Sequence, residues 1–312
     1  MDKQISIYAI IATWNGLSWI KKCLESLANS SVPLNTVLVD NHSTDGTVDY
    51  VKKQFPQIHT VSNRQNLGFG KANNQGINIA LAKGADFIFL LNQDAWINEN
   101  TVSHLTQMSV KHPGYGILSP VHLNGEGTEL EYTFAFFANS RSCRYFFSDL
   151  YLKKPLKEIY EINFVSAAAW LIPRRCIERV GGFDPVFPHY CEDNDFISRL
   201  RYHGYKAGIC PNTVIFHGQH LSSYDKPVDL ELNPKRKYVR VLLKLKDLNK
   251  PYLWTAIREI KDLILGIITS AVKLSPARLW SDCEVLCKVL LSLPGVKKSR
   301  ELSKKGGLIF LD

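Results

Sequence analysis

The stretch Phe87–Asp94, with the sequence FIFLLNQD, decides which fold the chain is predicted to adopt. Its five unbroken apolar residues are typical of a short strand that is buried on both faces of a parallel sheet. Asn92, Gln93 and Asp94 follow at the carboxyl end of this strand, where open α/β sheets bind ligands. Asp94 therefore has two interpretations. It either caps a helix that begins near Asn100, or it binds a divalent metal that carries phosphate oxygens.

The residues before this strand alternate between apolar strands and amphipathic helices. Such alternation predicts an α/β fold with a doubly wound, Rossmann-like and mostly parallel sheet. The predicted strands are 5–12, 36–39, 58–62 and 87–91, and the predicted helices are 17–28, 45–54 and 69–81. Later strands are predicted at 117–120, 164–173 and 214–216.

Polar side chains collect at the ends of three of these strands. Thr13 and Asn15 follow the first strand, and Asp40 follows the second. Asn92 and Asp94 follow the fourth strand. Because the carboxyl ends of parallel strands share one edge, these residues are predicted to form one site. The chain has no GxGxxG after its first strand and no GxxxxGK[ST], which argues against a dinucleotide-binding or P-loop protein.

The loop after the third strand, NRQNLGFGKANNQG at residues 63–76, is rich in small residues. Gly68 and Gly70 have the conformational freedom that a turn at positive φ requires. Lys71 beside them is a candidate contact for a phosphate group. The loop therefore has a structural interpretation and a ligand-binding one.

Three carboxylates crowd into the stretch GGFDPVFPHYCEDNDF, residues 181–196. Glu192, Asp193 and Asp195 lie at the start of a predicted helix, where one carboxylate would serve as a cap or interact with the helix dipole. Capping needs one carboxylate, and crowding raises the pKa of at least one of the three, which suits a general base. Further on, His217 ends a strand and is either structural or a metal ligand.

Basic residues concentrate in the last part of the 312-residue chain, whose formal net charge is +9. Residues 1–230 contain 21 basic and 21 acidic residues, and residues 231–312 contain 17 basic and 8 acidic ones. The sequence thus predicts a neutral α/β domain, 1–230, and a basic helical extension, 231–312. The extension is expected to contact an anionic surface. Nucleic acid is not the expected partner, because no nucleic-acid-binding motif occurs.

The extension contains an apolar pattern at helical spacing. The apolar positions are Leu253, Ile257, Ile260, Ile264, Ile267 and Ala271. Basic residues accompany the pattern, which predicts an amphipathic helix that lies on an anionic membrane. The same pattern fits a helix packed on the α/β domain or on a second subunit, so a homo-oligomer stays open.

The cysteines and the apolar runs predict a cytoplasmic protein. Seven cysteines without a CxxC pair are typical of reduced thiols. No signal peptide precedes the first strand, and no apolar run reaches the ~18 residues that a spanning helix needs.

The motifs described above resemble, in their order along the chain, those of the family 2 glycosyltransferases of the GT-A fold. The resemblance is strongest to bacterial rhamnosyltransferase-like members and covers roughly residues 5–225. The motifs are TWNG at 13–16, VDNHSTDGT at 39–47, NLGFGKANNQG at 66–76, LLNQDA at 90–95, GGFDPVFPHYCEDNDF at 181–196, and His217 with Ser222.

This resemblance implies a role for each candidate residue. Asp40 resembles the carboxylate that binds the pyrimidine base of a nucleotide sugar, and Thr13 and Asn15 line the same pocket. Asp193, with Glu192 beside it, resembles the catalytic base. The implied donor contacts of the glycine-containing loop are Asn66, Gly68 and Lys71.

The resemblance also implies a site for Mg²⁺ or Mn²⁺. Asn92, Gln93 and Asp94 align with the DXD metal motif, and His217 resembles a histidine that contacts the metal or the diphosphate. Two residues depart from the family pattern. Asn92 replaces the first acidic residue of DXD, and His220 stands where the HxxGxS pattern has glycine.

Together these features predict an inverting, metal-dependent glycosyltransferase of the hexosyltransferase class. The resemblance implies a nucleoside-diphosphate sugar donor, dTDP-rhamnose or a UDP-sugar, and a glycan or lipid-linked acceptor. It further implies bacterial surface polysaccharide synthesis at the inner face of the plasma membrane. Two other interpretations are a nucleotidyltransferase, which would need a basic loop after the first strand, and an inactive scaffold.

Overall fold

The computed structural model describes residues 5–187, 189–218 and 233–311, which form nine strands and eleven helices. The strands are β1 (Ile7–Thr13), β2 (Asn35–Asp40), β3 (His59–Ser62), β4 (Phe87–Leu91), β5 (Ala95–Ile97), β6 (Tyr115–Asn124), β7 (Tyr160–Glu161), β8 (Ala169–Pro173) and β9 (Lys206–His217). The helices are α1 (Leu17–Ala28), α2 (Thr47–Gln54), α3 (Phe69–Ala82), α4 (Thr101–Lys111), α5 (Tyr132–Phe137), α6 (Phe146–Tyr151), α7 (Arg174–Val180), α8 (Glu192–Tyr202), α9 (Pro234–Lys246), α10 (Tyr252–Val272) and α11 (Pro276–Lys305).

One sheet runs through the molecule in the strand order β3-β2-β1-β4-β8-β6-β9-β5, with β7 paired to β9. The strands β3, β2, β1 and β4 are mutually parallel, as the alternation of strands and helices predicted. The strand β8 pairs antiparallel with both β4 and β6, whereas β6 and β9 are parallel. The predicted α/β fold with a doubly wound sheet is confirmed, and its antiparallel pairs come from later parts of the chain.

The strand β4 is buried along its whole length, which explains its unbroken apolar sequence. Phe87, Phe89 and Leu91 contribute to the hydrophobic cluster on one face of the sheet. Ile88 and Leu90 contribute to the cluster on the other face. Because both faces are covered, alternation between polar and apolar residues is absent from this strand.

The strand β9 is much longer than the three residues predicted from its apolar run. Its middle contains Pro211 and Asn212, which interrupt the apolar pattern, and its pairing with β6 shifts register at Pro120 and Val121. An irregularity of this kind accommodates a proline inside a strand. The strand nevertheless ends at His217, as predicted.

The helices α9, α10 and α11 share a hydrophobic cluster with a residue of the α/β part, Phe187. A buried ion pair reinforces this contact, because Lys246 Nζ of α9 lies 2.6 Å from Asp184 Oδ2. Ser299 of α11 donates a hydrogen bond to the same carboxylate. These helices therefore pack on the α/β part, and the domain boundary predicted at residue 230 lies outside the described residues.

The segment 306–311, which follows α11, packs into the α/β part. Asn74 Nδ2 donates to the carbonyl oxygen of Phe310 at 2.6 Å, and Leu311 lies in the main hydrophobic cluster. A Cβ on Gly182 would lie 2.6 Å from Leu311 Cδ2, so a larger residue there would clash with the segment. The paired glycines at 181–182 thus make room for this segment.

One side of α10 exposes large apolar residues although the opposite side is buried. The buried residues include Glu259, Thr255 and Ser270, which are polar. Residues on the exposed side are Leu253, Trp254, Ile257, Ile264, Leu265, Ile268 and Val272. Ile260 and Ile267 of the predicted apolar pattern are half-buried. Within the described residues, no helix combines the length and the apolarity that crossing a membrane requires.

Candidate functional site

The loop after β1 is held to the end of β4 by the side chain of Gln93. Its Oε1 accepts hydrogen bonds from Thr13 Oγ1 at 2.6 Å and from the Trp14 amide at 3.0 Å, and its Nε2 donates to the Trp14 carbonyl at 3.2 Å. A Cβ on Gly16 would lie 2.4 Å from Gln93 Oε1, so a larger residue there would displace the Gln93 side chain. Gln93 therefore positions the loop through its amide.

Asp40 lies directly beside Thr13, because the two residues are paired in the parallel register of β1 and β2. Its carboxylate is buried, and each of its oxygens lies 3.2 Å from the amide nitrogen of Ser43. Asn15 has a positive φ of 47°, which is uncommon for a residue with a side chain. Its Oδ1 accepts from the Thr44 amide at 2.9 Å, which joins the two loops.

The loop 63–68 closes the same edge through a residue that the sequence analysis missed, Asn41. Asn41 Nδ2 donates to the Gly68 carbonyl at 3.2 Å, and Asn41 Oδ1 accepts from Asn63 Nδ2 at 3.1 Å. Gly68 has a φ of 83°, and its amide donates to Asn66 Oδ1 at 2.9 Å. Gly68 thus has the positive φ that its structural interpretation requires, and its role as a donor contact remains a prediction. Asn41 follows Asp40 at the end of β2, and that position was the available signal.

Lys71 lies in the first turn of α3 and is exposed. It lines a cavity of about 570 Å³ together with residues of the segment 302–310. Its ammonium group makes no hydrogen bond or ion pair within the described parts of the chain. A role for Lys71 in binding the donor remains a prediction.

Asp94 and His217 meet at the end of the sheet, where β5 and β9 pair. Asp94 Oδ1 lies 3.3 Å from His217 Nε2, and Asn92 Nδ2 lies 3.4 Å from the same nitrogen. Burial would raise the pKa of Asp94, but the hydrogen bond and charge of His217 outweigh burial and hold that pKa below its ordinary value. Asn92 and Asp94, which follow β4, thus both lie beside His217, which ends β9.

A second histidine, His122, lies close to this pair and was not anticipated from the sequence. It is fully buried, and its Nε2 lies 2.9 Å from Ser119 Oγ. Burial first, and then the charge of His217, lower the pKa of His122 to about 3. His122 therefore stays neutral and does not add a positive charge beside His217.

The Asp94–His217 pair has the donor atoms that a divalent metal would use. A carboxylate oxygen and an imidazole nitrogen converge there, and the described residues contain no group of three His, Cys, Asp or Glu side chains that could hold a metal alone. Mg²⁺ is commonly held by one or two carboxylates together with phosphate oxygens of a substrate and water. The residues fit a metal that binds together with a diphosphate.

Within the described residues, the carboxyl groups of Glu192 and Asp193, which begin α8, form no ion pair with a cation. Burial raises the pKa of Asp193 to about 6, although hydrogen bonds from backbone amides, including that of Ala167, oppose the shift. Burial, followed by the charge of Asp193, raises the pKa of Glu192 to about 7. Oε2 of Glu192 is buried without a hydrogen bond in the described structure.

Asp195 differs from its two neighbours because it forms a buried ion pair. Its Oδ2 accepts from Arg199 Nε at 2.7 Å, one helical turn further along α8. The same guanidinium donates to the carbonyl oxygens of Val180 at 2.7 Å and Gly182 at 2.8 Å. Asp195 therefore holds α8 on the loop after α7, which is a structural role.

The turn before β8 connects the two parts of the candidate site. The Asn92 amide donates to the Ala168 carbonyl at 2.9 Å, and the preceding residue, Ala167, forms a backbone hydrogen bond with the Asp193 carboxyl. The small side chains at 167–169 thus lie between the Asp94–His217 pair and the carboxyl groups of Glu192 and Asp193, whose pKa values are raised. Immediately before α8, Tyr190 and Cys191 have φ values of 68° and 67°, a strained conformation that is often found at active sites.

Known proteins that are similar to this chain include glycosyltransferases. A search of curated proteins finds an N-acetylglucosaminyl-diphospho-decaprenol L-rhamnosyltransferase of Mycobacterium tuberculosis, 23% identical over 251 residues, which are 74% of this chain and 82% of the relative. The predicted His220 and Ser222, which were part of the last motif, lie outside the described residues.

Solved structures share the fold at low sequence identity. The mannosyltransferase PcManGT of Pyrobaculum calidifontis, solved with GDP-Man and Mn²⁺, aligns with a TM-score of 0.57 and 17% identity over 93% of this chain and 87% of its own. TarS 1–349 of S. aureus with UDP-GlcNAc aligns with a TM-score of 0.56 and 15% identity over 94% of this chain and 83% of its own. Both are GT-A structures, so the predicted GT-A fold is confirmed. The family model described as glycosyl transferase family 2 matches residues 8–181, more than half of the chain, and the protein therefore belongs to glycosyl transferase family 2.

Proposed function

We propose that the protein transfers a sugar from a nucleoside-diphosphate donor to a hydroxyl group with inversion at the anomeric carbon. The observation that carries the proposal is the Asp193 carboxyl. It has no cationic partner in the described structure, its pKa is raised to about 6, and Ala167 and Ala168 link it to the Asp94–His217 pair. A carboxylate with a pKa just below neutral pH is ionised there and is still basic enough to accept a proton.

The donor would bind across the ends of β1, β2 and β4. The hydrogen bonds from Ser43 to Asp40 are 3.2 Å long, which is longer than usual and leaves the carboxylate able to accept the N3–H of a pyrimidine. Thr13 and Asn15 would line the same pocket. We therefore infer a uridine or thymidine donor.

A Mg²⁺ or Mn²⁺ ion would be held by Asp94 and His217 together with oxygens of the diphosphate. When bound, the metal neutralises the negative charge that develops on the leaving nucleoside diphosphate. The nearby Asn92 amide would hydrogen-bond the same group of ligands. Asp94 is well suited because its lowered pKa keeps it ionised.

In the reaction the acceptor oxygen forms a bond to the anomeric carbon while the bond from that carbon to the diphosphate oxygen breaks. The bonding electrons leave with the nucleoside diphosphate, and the hydroxyl proton moves to Asp193. Attack opposite the leaving group inverts the anomeric carbon, and no covalent enzyme intermediate forms. Glu192 would help to hold the acceptor hydroxyl beside Asp193.

The Mycobacterium relative supports a rhamnose donor and a lipid-linked acceptor, because its name states both an L-rhamnosyl transfer and a diphospho-decaprenol acceptor. On this basis we infer dTDP-rhamnose first, a UDP-sugar second, and a role in bacterial surface polysaccharide synthesis. Family membership argues against the nucleotidyltransferase interpretation.

The test is release of nucleoside diphosphate by the full-length protein. Each of dTDP-rhamnose, UDP-GlcNAc and GDP-mannose is supplied with Mn²⁺, with and without a set of saccharide acceptors. We expect acceptor-dependent release from a pyrimidine donor. No release with any donor and acceptor would identify an inactive scaffold, and preference for the guanosine donor would contradict the proposed role of Asp40.

We also propose that α10 attaches the protein to an anionic membrane at the cytoplasmic side. Trp254 is 73% exposed and Ile268 is 53% exposed, although the helix buries the polar residues on its other side. Exposed Arg258 and Lys261 lie on the same helix and add attraction to anionic lipids. An apolar face flanked by basic residues is what an interfacial helix requires.

Sedimentation with anionic vesicles tests this attachment. Trp254→Ser/Ile268→Ser should reduce sedimentation about tenfold or more, because both side chains would leave the membrane. Val110→Ser on α4 is the control, since Val110 is similarly exposed at 59%. If the protein instead forms a dimer that the double substitution dissociates, α10 is a subunit interface.

A further inference from the structure

A cavity of about 330 Å³ adjoins the carboxyl groups that begin α8. Glu192 and Asp193 line one part of it, and Arg236 and Arg240 of α9 line another. Aromatic residues complete the wall, namely Phe137, Phe164 and Tyr190. The cavity therefore combines two carboxyl groups, two guanidinium groups and an aromatic surface.

The two arginines have no carboxylate partner within the described residues, unlike other cations of the same helix. The paired cations of α9 are Lys237 with Asp282, Lys244 with Glu259, and Lys246 with Asp184. Arg236 instead lies with its guanidinium carbon 5.3 Å from the centre of the Tyr190 ring. Unpaired guanidinium groups against an aromatic wall are suited to bind an oxyanion.

The cavity's own carboxyl groups do not satisfy these arginines. Neither arginine forms an ion pair with Glu192 or Asp193 in the described structure, and no arginine charge contributes to the pKa of either carboxyl, which burial raises. The positive groups and the raised-pKa carboxyls therefore occupy separate parts of one cavity. A ligand that spans the cavity would place a neutral hydroxyl at one part and an anion at the other.

A larger cavity adjoins this one along α9 and α11. This second cavity, of about 890 Å³, shares Tyr190, Arg236 and Val239 with the first. Lys235 and Lys288 add positive charge to it, and its lining also includes Leu291, Tyr238 and Ser292. Leu291 is 83% exposed, which leaves an apolar surface available beside the basic one.

We infer that the groove formed by these two adjoining cavities binds an acceptor that carries a phosphate or diphosphate group next to its sugar, with Arg236 and Arg240 holding the phosphate oxygens. The inference rests on the proposed function, in which Asp193 receives the acceptor's proton. The sugar hydroxyl lies at Asp193, the anion lies at the two arginines, and an apolar substituent follows the groove toward Leu291. The helical extension thus supplies a substrate-binding surface that the match to residues 8–181 does not include.

The test compares two forms of one saccharide acceptor on which the wild-type protein is active, an alkyl diphosphate and a neutral alkyl glycoside. In Arg236→Ala/Arg240→Ala, we expect the KM for the diphosphate acceptor to rise about tenfold or more, because charge-assisted hydrogen bonds are lost. The KM for the neutral acceptor and for the donor should stay near wild type. Arg236→Lys/Arg240→Lys should recover part of the loss.

The control is Lys297→Ala/Lys298→Ala, which removes two exposed positive charges of α11 outside the groove. Equal loss with both acceptors, or a similar loss in the control, would overturn the inference. With saturating donor and with Mn²⁺ in excess of pyrophosphate, inorganic pyrophosphate should compete with the diphosphate acceptor more weakly in the double alanine variant than in the wild-type protein. Competition by acceptor-free anionic vesicles in its place would show that the arginines bind lipid headgroups and would also overturn it. If the wild-type protein transfers to neither acceptor form, the proposed function itself fails.

Discussion

Two regions of the molecule differ in whether their polar groups have partners: the ends of β1, β2 and β4, and the start of α8. At the strand ends, polar groups are satisfied by neighbours: Gln93 binds Thr13 and Trp14, and Asn41 binds Gly68 and Asn63. At the start of α8, Glu192 Oε2 is buried without a partner among the residues that the structure describes, and the pKa values of Glu192 and Asp193 are raised. Hydrogen bonds fix the geometry of the first region, whereas ionisation of the two carboxyl groups in the second region is unfavourable.

The difference indicates which chemistry each region supports. A satisfied network fixes geometry, which is what recognition of a donor requires. Unpaired, buried carboxyl groups are less stable when ionised, which gives them a greater tendency to accept a proton. Asp195 combines features of both types: burial raises its pKa as well, but its ion pair with Arg199 opposes that shift.

The sharpest test of the comparison is Asp193→Asn. Asparagine keeps the shape of the side chain but cannot accept the proton, so turnover at saturating donor should fall about 10²-fold or more. Donor affinity should stay near wild type, because the base faces the acceptor. In the wild-type protein, turnover should increase with pH up to about 6 and then level off, as the carboxyl ionises. Normal turnover in the variant would remove Asp193 from the mechanism.

Asp195→Ala should give the reverse result, a loss of stability. It leaves Arg199 buried without its partner, and breaking a buried ion pair lowers the free energy of unfolding by about 3–5 kcal/mol. Denaturant unfolding measures this change, and the residual folded protein should turn over near the wild-type rate. A stable but inactive variant would show that Asp195, not Asp193, is the base.

Glu192→Gln should stabilise the protein at alkaline pH. Glu192 ionises near pH 4.5 in an unfolded chain and near pH 7 in the folded protein, so folding becomes less favourable as the pH rises between these values. The substitution should therefore raise the free energy of unfolding by at most about 3 kcal/mol at pH 8 and by little at pH 4. A gain that does not depend on pH would contradict the raised pKa.

Asp94→Ala tests the strand-end region at the Asp94–His217 pair, where a metal ion is proposed to bind. We expect the affinity for UDP or dTDP in the presence of Mn²⁺ to fall about 10- to 100-fold, with little change in the weaker affinity measured without metal. Calorimetry measures both affinities, and the melting temperature without ligand should change little. Asp86→Ala, at the other end of β4, is the comparison carboxylate. Unchanged affinity in Asp94→Ala would exclude it as a ligand.

Much of the α/β part could be predicted because its signals are local. The helix α1 was predicted at the residues where it occurs, and β4 was predicted from five apolar residues. The grouping of Thr13, Asp40 and Asp94 at one edge followed from the parallel order of the strands, since parallel strands end together. The roles assigned to these residues remain predictions.

The parts that could not be predicted depend on contacts between distant segments. The pairing of Asp195 with Arg199 had a local signal, the spacing of four residues on a helix, but its burial did not. Arg236 and Arg240 reach the cavity beside Glu192 and Asp193 only through the packing of α9 on α8. No periodicity in the sequence encodes that packing, so their relation to Asp193 was missed.

The segment 306–311 also has a consequence for the order in which the protein is made. The hydrogen bond between Asn74 and Phe310 joins residues 236 positions apart. Contacts of such high sequence separation form late, because a long loop must close first. We expect the parallel strands to form in the nascent chain before the segment 306–311 packs against α3 and the glycines at 181–182. The loop that leads to Asp193 would then become ordered only after the segment leaves the ribosome, so an incomplete chain would be inactive.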